Sequence, residues 1–143
     1  MPEVSRSVLV TYSPEQMFGL VDAVERYPEF LPWCGGVNLL HRDTQVTRAT
    51  IQINFHGLKQ SFTTENAKRA PAEMRIQLID GPFRKLEGGW RFTSLAGQGC
   101  KVELELSYEY SSRVLEKLVG PVFNRIAATL VEAFVKRAAQ VYG

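Results

Sequence analysis

The chain has 143 residues, of which 45% are hydrophobic and 10% aromatic, and its 17 basic against 15 acidic side chains leave a net charge of +2. At this length folding buries roughly 68–70% of the unfolded surface, enough for a core without staples or metals, so a disulfide scaffold, a disordered tail and a tandem array are all disfavoured. A pI of about 8.6 is only mildly basic, which speaks against a DNA-binding protein held mainly by its field.

The first residues, Met1 to Arg6, carry neither the charged nor the apolar region of a secretion signal. Residues 3 to 11 alternate, with Val4, Arg6, Val8 and Val10 on one side, and read as a strand. A helix follows at once. Ser13 fits its N-cap, Pro14 its first position and Gln16 the third position of a capping box. Met17, Leu20, Val21 and Val24 form its apolar side, and Tyr27-Pro28 and Leu31-Pro32 keep it short. The aromatic stretch from Tyr27 to Cys34 is expected as a short helix or turn pressed onto the body.

From Val37 onward the periodicity is two. Val37 and Leu39 open one strand, and Ala49, Ile51, Ile53 and Phe55 line one side of the next. His56-Gly57 is a hairpin turn into Leu58, Gln60, Phe62 and Thr64. Met74, Ile76 and Leu78 continue the alternation. Asp80-Gly81-Pro82-Phe83 is a turn, Gly88-Gly89 precede Trp90-Arg91-Phe92, and Gly97 to Gly99 form another turn. Val102, Leu104, Leu106, Tyr108 and Tyr110 then alternate with polar residues, as an antiparallel meander with one wet face requires. The remainder is helical, with Leu115, Val119, Val122, Ile126, Leu130, Phe134, Ala138 and Val141 at spacings of three and four. Gly120-Pro121 is expected to break or kink it. Its longest apolar stretch, Ile126 to Val135, falls short of a membrane span.

This order predicts a single α+β domain over residues 1–143. A seven-stranded antiparallel sheet with so long an apolar face, and one long helix to cover it, must curl around that helix. The curl either closes on a dry core or leaves an apolar cavity; we expect the cavity.

Several stretches also carry a resemblance: Ser13 to Phe18, Tyr27 to Cys34, Asp80 to Phe83, Gly89-Trp90, and Phe123, Ala127, Phe134, Arg137-Ala138 and Val141-Tyr142. Together they resemble the coenzyme Q-binding START-domain family, within the helix-grip superfamily of START, polyketide cyclase and birch-pollen-allergen (Bet v 1-like) proteins. They are most similar to a bacterial branch that includes a ribosome association toxin. Ala23 departs from the pattern, which has an aspartate there, and puts a carboxylate role at that turn in doubt. The resemblance implies a helix-grip fold, no covalent cofactor, and non-catalytic binding of ubiquinone or another isoprenoid lipid in support of respiration. The alternative it implies is a toxin that binds the large ribosomal subunit and blocks subunit association; a third is a polyketide cyclase or aromatase. It places the protein in the cytoplasm, with transient contact at the inner membrane surface.

Enzymatic constellations are sparse. There is no Gly-x-Ser-x-Gly elbow, His41 and His56 read as exposed, and Leu86 stands where a phosphate loop would need its second glycine. Cys34 and Cys100 read as free thiols. The expected ligand site takes Phe55, Phe62, Leu78 and Phe92 from the strands, Phe30, Trp33 and Phe83 at a mouth, and Val122, Ile126 and Leu130 from the helix. Phe83 and Leu86 are expected to be exposed on a mobile turn. Basic residues near hairpins (Lys59, Lys68, Arg69, Arg84, Lys85, Lys101) and on the last helix (Arg113, Lys117, Arg125, Lys136, Arg137) are interspersed with glutamates and read as solvated surface. Among them Arg84 and Lys85 are the expected probes of a ribosome contact.

Overall fold

A strand alternating in hydrophobicity enters a capped helix, and the chain then winds six more strands before its last helix. The computed structural model describes residues 3–143; Met1 and Pro2, where the N-terminal reading begins, lie outside the described residues. Strand β1 (Glu3–Val10) leads to α1 (Pro14–Asp22) and a 3-10 turn (Val24–Glu29). Strands β2 (Cys34–Arg42), β3 (Val46–Phe55), β4 (Leu58–Arg69), β5 (Glu73–Asp80), β6 (Phe83–Ser94) and β7 (Cys100–Tyr110) follow, then α2 (Arg113–Tyr142). All neighbours pair antiparallel in the order β1-β7-β6-β5-β4-β3-β2. This is the curved seven-stranded sheet around a long C-terminal helix that the helix-grip reading expects.

The local chemistry explains most boundaries. Ser13 accepts from the Gln16 amide at 3.1 Å while the Gln16 side chain accepts from the Ser13 amide at 2.9 Å, closing the capping box. His56 and Gly57 have φ of 50° and 84°, the left-handed pair a two-residue hairpin loop demands. The sheet bends through register shifts at Cys34/Gly36, Leu39/His41, Thr63/Thr64 and Phe83/Lys85, each of which adds local twist.

Four expectations change. Strand β2 starts at Cys34, three residues ahead of Val37, because the Cys34 amide already donates to Leu31 O at 3.0 Å and closes the preceding turn. Gly88-Gly89 lie inside β6; at Gly88 a β-carbon would stand 1.9 Å from the Glu105 carbonyl oxygen, so only glycine allows β6 and β7 to pair there. Arg6 is exposed, while Val4 and Val8 on the same side of β1 are half-buried. Helix α2 runs unbroken through Pro121 for 30 residues, about 45 Å, with Gly120 buried where an added β-carbon would stand 3.8 Å from the Tyr110 ring.

One continuous core joins the concave side of the sheet to α1 and α2. Helix α2 contributes Val119, Phe123, Ile126, Ala127, Val131, Phe134 and Ala138. By length and composition α2 is apolar enough to cross a membrane, its richest 18-residue window having a mean hydropathy of 1.4. The expected shortfall from a span therefore does not hold. Here the apolar side of α2 is a core face against the sheet.

Two aromatic groups anchor this helix. Phe123 packs edge-on against Phe62, Phe83 and Tyr108 at 6.0, 4.7 and 4.9 Å between ring centres. Phe134 does the same against Tyr27, Phe30 and Trp90 at 5.4, 5.3 and 5.3 Å. Such contacts add about 0.5–1.5 kcal/mol each beyond area burial. Beside the Phe123 group, Tyr108 and Tyr110 hydroxyls both donate to Asn124 Oδ1, at 2.7 and 3.1 Å, pinning α2 to β7.

Candidate functional site

The two aromatic groups do not meet, and a cavity of about 80 Å³ lies between them. Phe62 and Phe123 close one end, Tyr27 and Trp90 the other. Val21 and Val24 reach in from the α1 side, and Ile126, Ala127 and Leu130 from α2. The wall is apolar except for the polar groups carried by Thr64 and Asn66 on β4 and by Tyr27, Trp33 and Trp90. The Tyr27 hydroxyl donates to Val21 O at 2.5 Å, and burial pushes its phenol far above the ordinary range. No histidine, carboxylate or cation lines the cavity among the described residues.

Of the ten expected ligand residues, Trp33, Phe62, Ile126 and Leu130 line this cavity and six do not. Phe83 and Leu86 are not on an exposed turn: they are 5% and 4% exposed. Phe83 stacks on Tyr110 at 5.3 Å and meets Phe62 and Phe123, so it plugs the end of the core instead of forming a mouth. Phe30 is an anchor, held edge-on by Phe134 and Tyr27 and covered by the Arg137 guanidinium 5.0 Å above its ring. Phe92 is buried behind the wall, stacked with Trp90 and edge-on to Phe18. Phe55 leans on His56 at the hairpin, and Leu78 and Val122 are half-buried outside the cavity. Sequence reasoning missed the other twelve lining residues, among them Thr64 and Asn66, the polar pair on β4. Their signal was present: Phe62, Thr64 and Asn66 share one parity of β4, so the inward side of that strand turns from apolar to polar.

Beside the cavity lies an ionic hub. Asp22, at the end of α1, accepts from Thr47 Oγ1 at 2.7 Å and from Lys68 Nζ at 3.1 Å. Arg42 donates to Asp22 O at 2.7 Å and grips Glu25 with two bonds of 2.7 and 2.8 Å. That grip holds the Glu25 carboxyl below its ordinary range. A carboxylate therefore does act at this turn, supplied by Asp22 one position before Ala23. The hub ties α1 and the 3-10 turn to β2, β3 and β4. Val21, Val24 and Tyr27 are thereby held against the cavity.

The basic residues are less uniform than the sequence implies. Lys68 is not solvated surface, its side chain being 5% exposed in the hub. Arg69, Arg84, Lys85 and Arg137 are paired with Glu73, Glu109, Glu87 and Glu29. Arg113, Lys117, Arg125 and Lys136 form no ion pair among the described residues and share the exposed side of α2 with Val114 and Leu118. The opposite, convex side of the sheet is a shallow trough over Gly88 and Gly89 in which Glu73, Glu87, Glu103 and Glu105 outnumber Arg75 and Arg91. His41 and His56 are exposed, and Cys34 and Cys100 are buried free thiols whose pKa burial raises.

Fold and interior define a helix-grip protein with a small apolar cavity. Residues 10–135 match the family described as polyketide cyclase / dehydrase and lipid transport, and the chain belongs to that family. It is 46% identical over 143 residues to the ribosome association toxin RatA of Vibrio cholerae, covering 100% of this chain and 99% of the relative. It is 31% identical over 145 residues to the Coenzyme Q-binding protein COQ10 homolog B, mitochondrial, of Xenopus laevis, covering 99% of this chain and 59% of that protein. The fold also matches the crystal structure of the Zhui aromatase/cyclase from Streptomyces, with a TM-score of 0.84 at 14% identity over 99% of this chain and 96% of that one.

Proposed function

We propose that this protein acts on ribosome association, binding the large ribosomal subunit through its exterior and hindering the joining of subunits without catalysing a reaction. The observation that carries this reading is the end-to-end similarity, at 46% identity, to a ribosome association toxin. The charge layout supports it. Unpaired cations on the outward side of α2 suit RNA phosphates, while the glutamate-rich trough over Gly88 and Gly89 would be turned away. Such a role requires a cytoplasmic protein.

Arg84 and Lys85, the probes favoured by sequence alone, are already engaged by glutamates. The sharper test reverses Arg113, Lys117 and Arg125 to glutamate and measures co-sedimentation with purified large subunits across a salt series. Wild type should bind with a steep salt dependence, and loss of three phosphate contacts should flatten the log-log slope by about 2–3. Absence of wild-type binding, or equal binding by the variant, would refute the reading.

A second reading concerns the interior: retention of a polyisoprenoid quinone or similar lipid. The apolar cavity and the 31% relationship to a coenzyme Q-binding protein favour it. At about 80 Å³ the cavity is smaller than the roughly 150 Å³ void that takes benzene. A quinone head therefore enters only if the cavity walls move apart. Organic extraction of protein purified from its host, followed by mass spectrometry, tests this; absence of any quinone or lipid counts against it.

A further inference from the structure

We propose that the outward side of the first half of α2 docks on an anionic bilayer surface, its aliphatic side chains entering the headgroup layer and its cations meeting lipid phosphates. The proposal goes beyond the ribosome reading and draws on side chains for which that reading has no use.

Helix α2 is apolar on two sides over this stretch. One side holds Val119, Phe123 and Ile126 and belongs to the core. The other holds Val114 and Leu118, which are 66% and 58% exposed. At about 100° per residue, Arg113, Val114, Lys117, Leu118, Pro121 and Arg125 fall within an arc of about 140° that runs about 18 Å along the helix. All six are exposed, and the three cations form no ion pair among the described residues. Glu116 falls outside the arc. Beyond Arg125 the outward side continues with the exposed Thr129, Glu132 and Lys136, so the mixture of aliphatic and basic residues is confined to this segment.

An RNA backbone accounts for the cations alone. Phosphates attract Arg and Lys, whereas valine and leucine set between them return nothing to a charged strand. A bilayer surface uses both. Anionic headgroups attract the cations, while the boundary beneath them receives aliphatic side chains and the stems of Lys and Arg. The glutamate-rich trough on the convex side of the sheet is repelled by the same surface, which leaves α2 facing it. These cations hold one partner at a time, so lipid and ribosome compete for this face.

Vesicle flotation tests the proposal, with phosphatidylcholine alone and with an equimolar mixture of phosphatidylcholine and phosphatidylglycerol. Wild type should partition onto the mixed vesicles at least about tenfold more strongly than onto phosphatidylcholine, since each cation near an anionic surface contributes about fivefold. Val114→Gln/Leu118→Gln should partition about tenfold more weakly than wild type onto the mixed vesicles, with melting temperature and co-sedimentation with large subunits unchanged. No partition of wild type, equal partition onto both kinds of vesicle, or equal partition of variant and wild type overturns the proposal. Loss of large-subunit binding by the variant also overturns it, because the aliphatic pair then belongs to the ribosome contact. The vesicle measurements need no ribosome, so they remain decisive if wild type fails to bind large subunits. Should the double variant not fold, Leu118→Cys carrying an environment-sensitive dye decides, Cys34 and Cys100 being buried. Its emission should shift to the blue on mixed vesicles and not on phosphatidylcholine, and an unshifted emission overturns the proposal.

Discussion

The ionic hub beside the cavity makes a quantitative demand on Lys68. Replacing it by methionine keeps the aliphatic stem and removes the charge that meets Asp22 Oδ2 at 3.1 Å. At an effective dielectric of about 20 the gross attraction at that separation is roughly 5 kcal/mol, most of it offset by the desolvation of both ions. Breaking a fully buried pair by deleting one partner costs about 3–5 kcal/mol. Here the side chains are 5% exposed at Lys68 and 18% at Asp22. Asp22 also retains the Thr47 hydroxyl, and the Arg42 guanidinium at 3.7 Å. The cost of Lys68→Met should therefore lie at or just below the lower end of that range, about 2–3 kcal/mol.

For a domain of this size that is a fall in melting temperature of roughly 6–10 °C. Urea unfolding of wild type, Lys68→Met, Asp22→Asn and the double variant gives the coupling directly, which should fall within about 1–3 kcal/mol. A Lys68→Met change within about 0.5 kcal/mol of wild type, or a coupling near zero, would refute the view that this pair latches α1 to the sheet.

Two further outcomes follow from the same geometry. Gly88→Ala should cost about 3 kcal/mol or more, because φ is 152° there and the new methyl would stand 1.9 Å from the Glu105 carbonyl oxygen; a urea midpoint within about 1 kcal/mol of wild type would show that the β6–β7 pairing yields more easily than argued. Arg42 lowers the Glu25 pKa, Arg26 and then Arg137 lower that of Glu29, and His41 with two backbone amides brings Asp43 down to about 2. The stability from such depressed carboxyls is present above their unfolded pKa and is lost as pH falls through the folded one. Melting temperature should hold from neutrality to about pH 5 and decline below it, with Glu25→Gln/Glu29→Gln flattening the decline; parallel curves would contradict the assignment.

The fold was legible because the cues were local and agreed with one another. The capping box at Ser13, the hairpin at His56-Gly57 and the alternation from Val102 to Tyr110 each act within a few residues and point the same way. Pro121 misled because tertiary packing against Tyr110 and the sheet outweighs one missing helical hydrogen bond. Parity and helix face were enough at Phe62, Ile126 and Leu130, and Trp33, expected at a mouth, lines the cavity too. Phe83 failed because glycine and proline in a turn say nothing about where the next ring points. That ring is decided by Phe62, Tyr110 and Phe123, far away in sequence.

The inward side of β4 joins the hub and the cavity in one physical account. Reading along the strand, Phe62, Thr64, Asn66 and Lys68 occupy successive inward positions and pass from aromatic to hydroxyl, to amide, to ammonium. At Lys68 the buried charge has its partner, Asp22, and becomes a tie between sheet and helix. At Asn66, two residues earlier, the same side of the strand offers an acceptor with no partner. An aliphatic residue there would spare the desolvation of an unpaired amide and make a drier, more stable core. A polar interior position that lowers stability is where a function for the cavity is to be sought, since sites commonly hold what the core alone would not choose. The exterior of α2 is chemically independent of this position. Charge reversal at Arg113, Lys117 and Arg125 should therefore weaken ribosome contact and leave the interior unchanged.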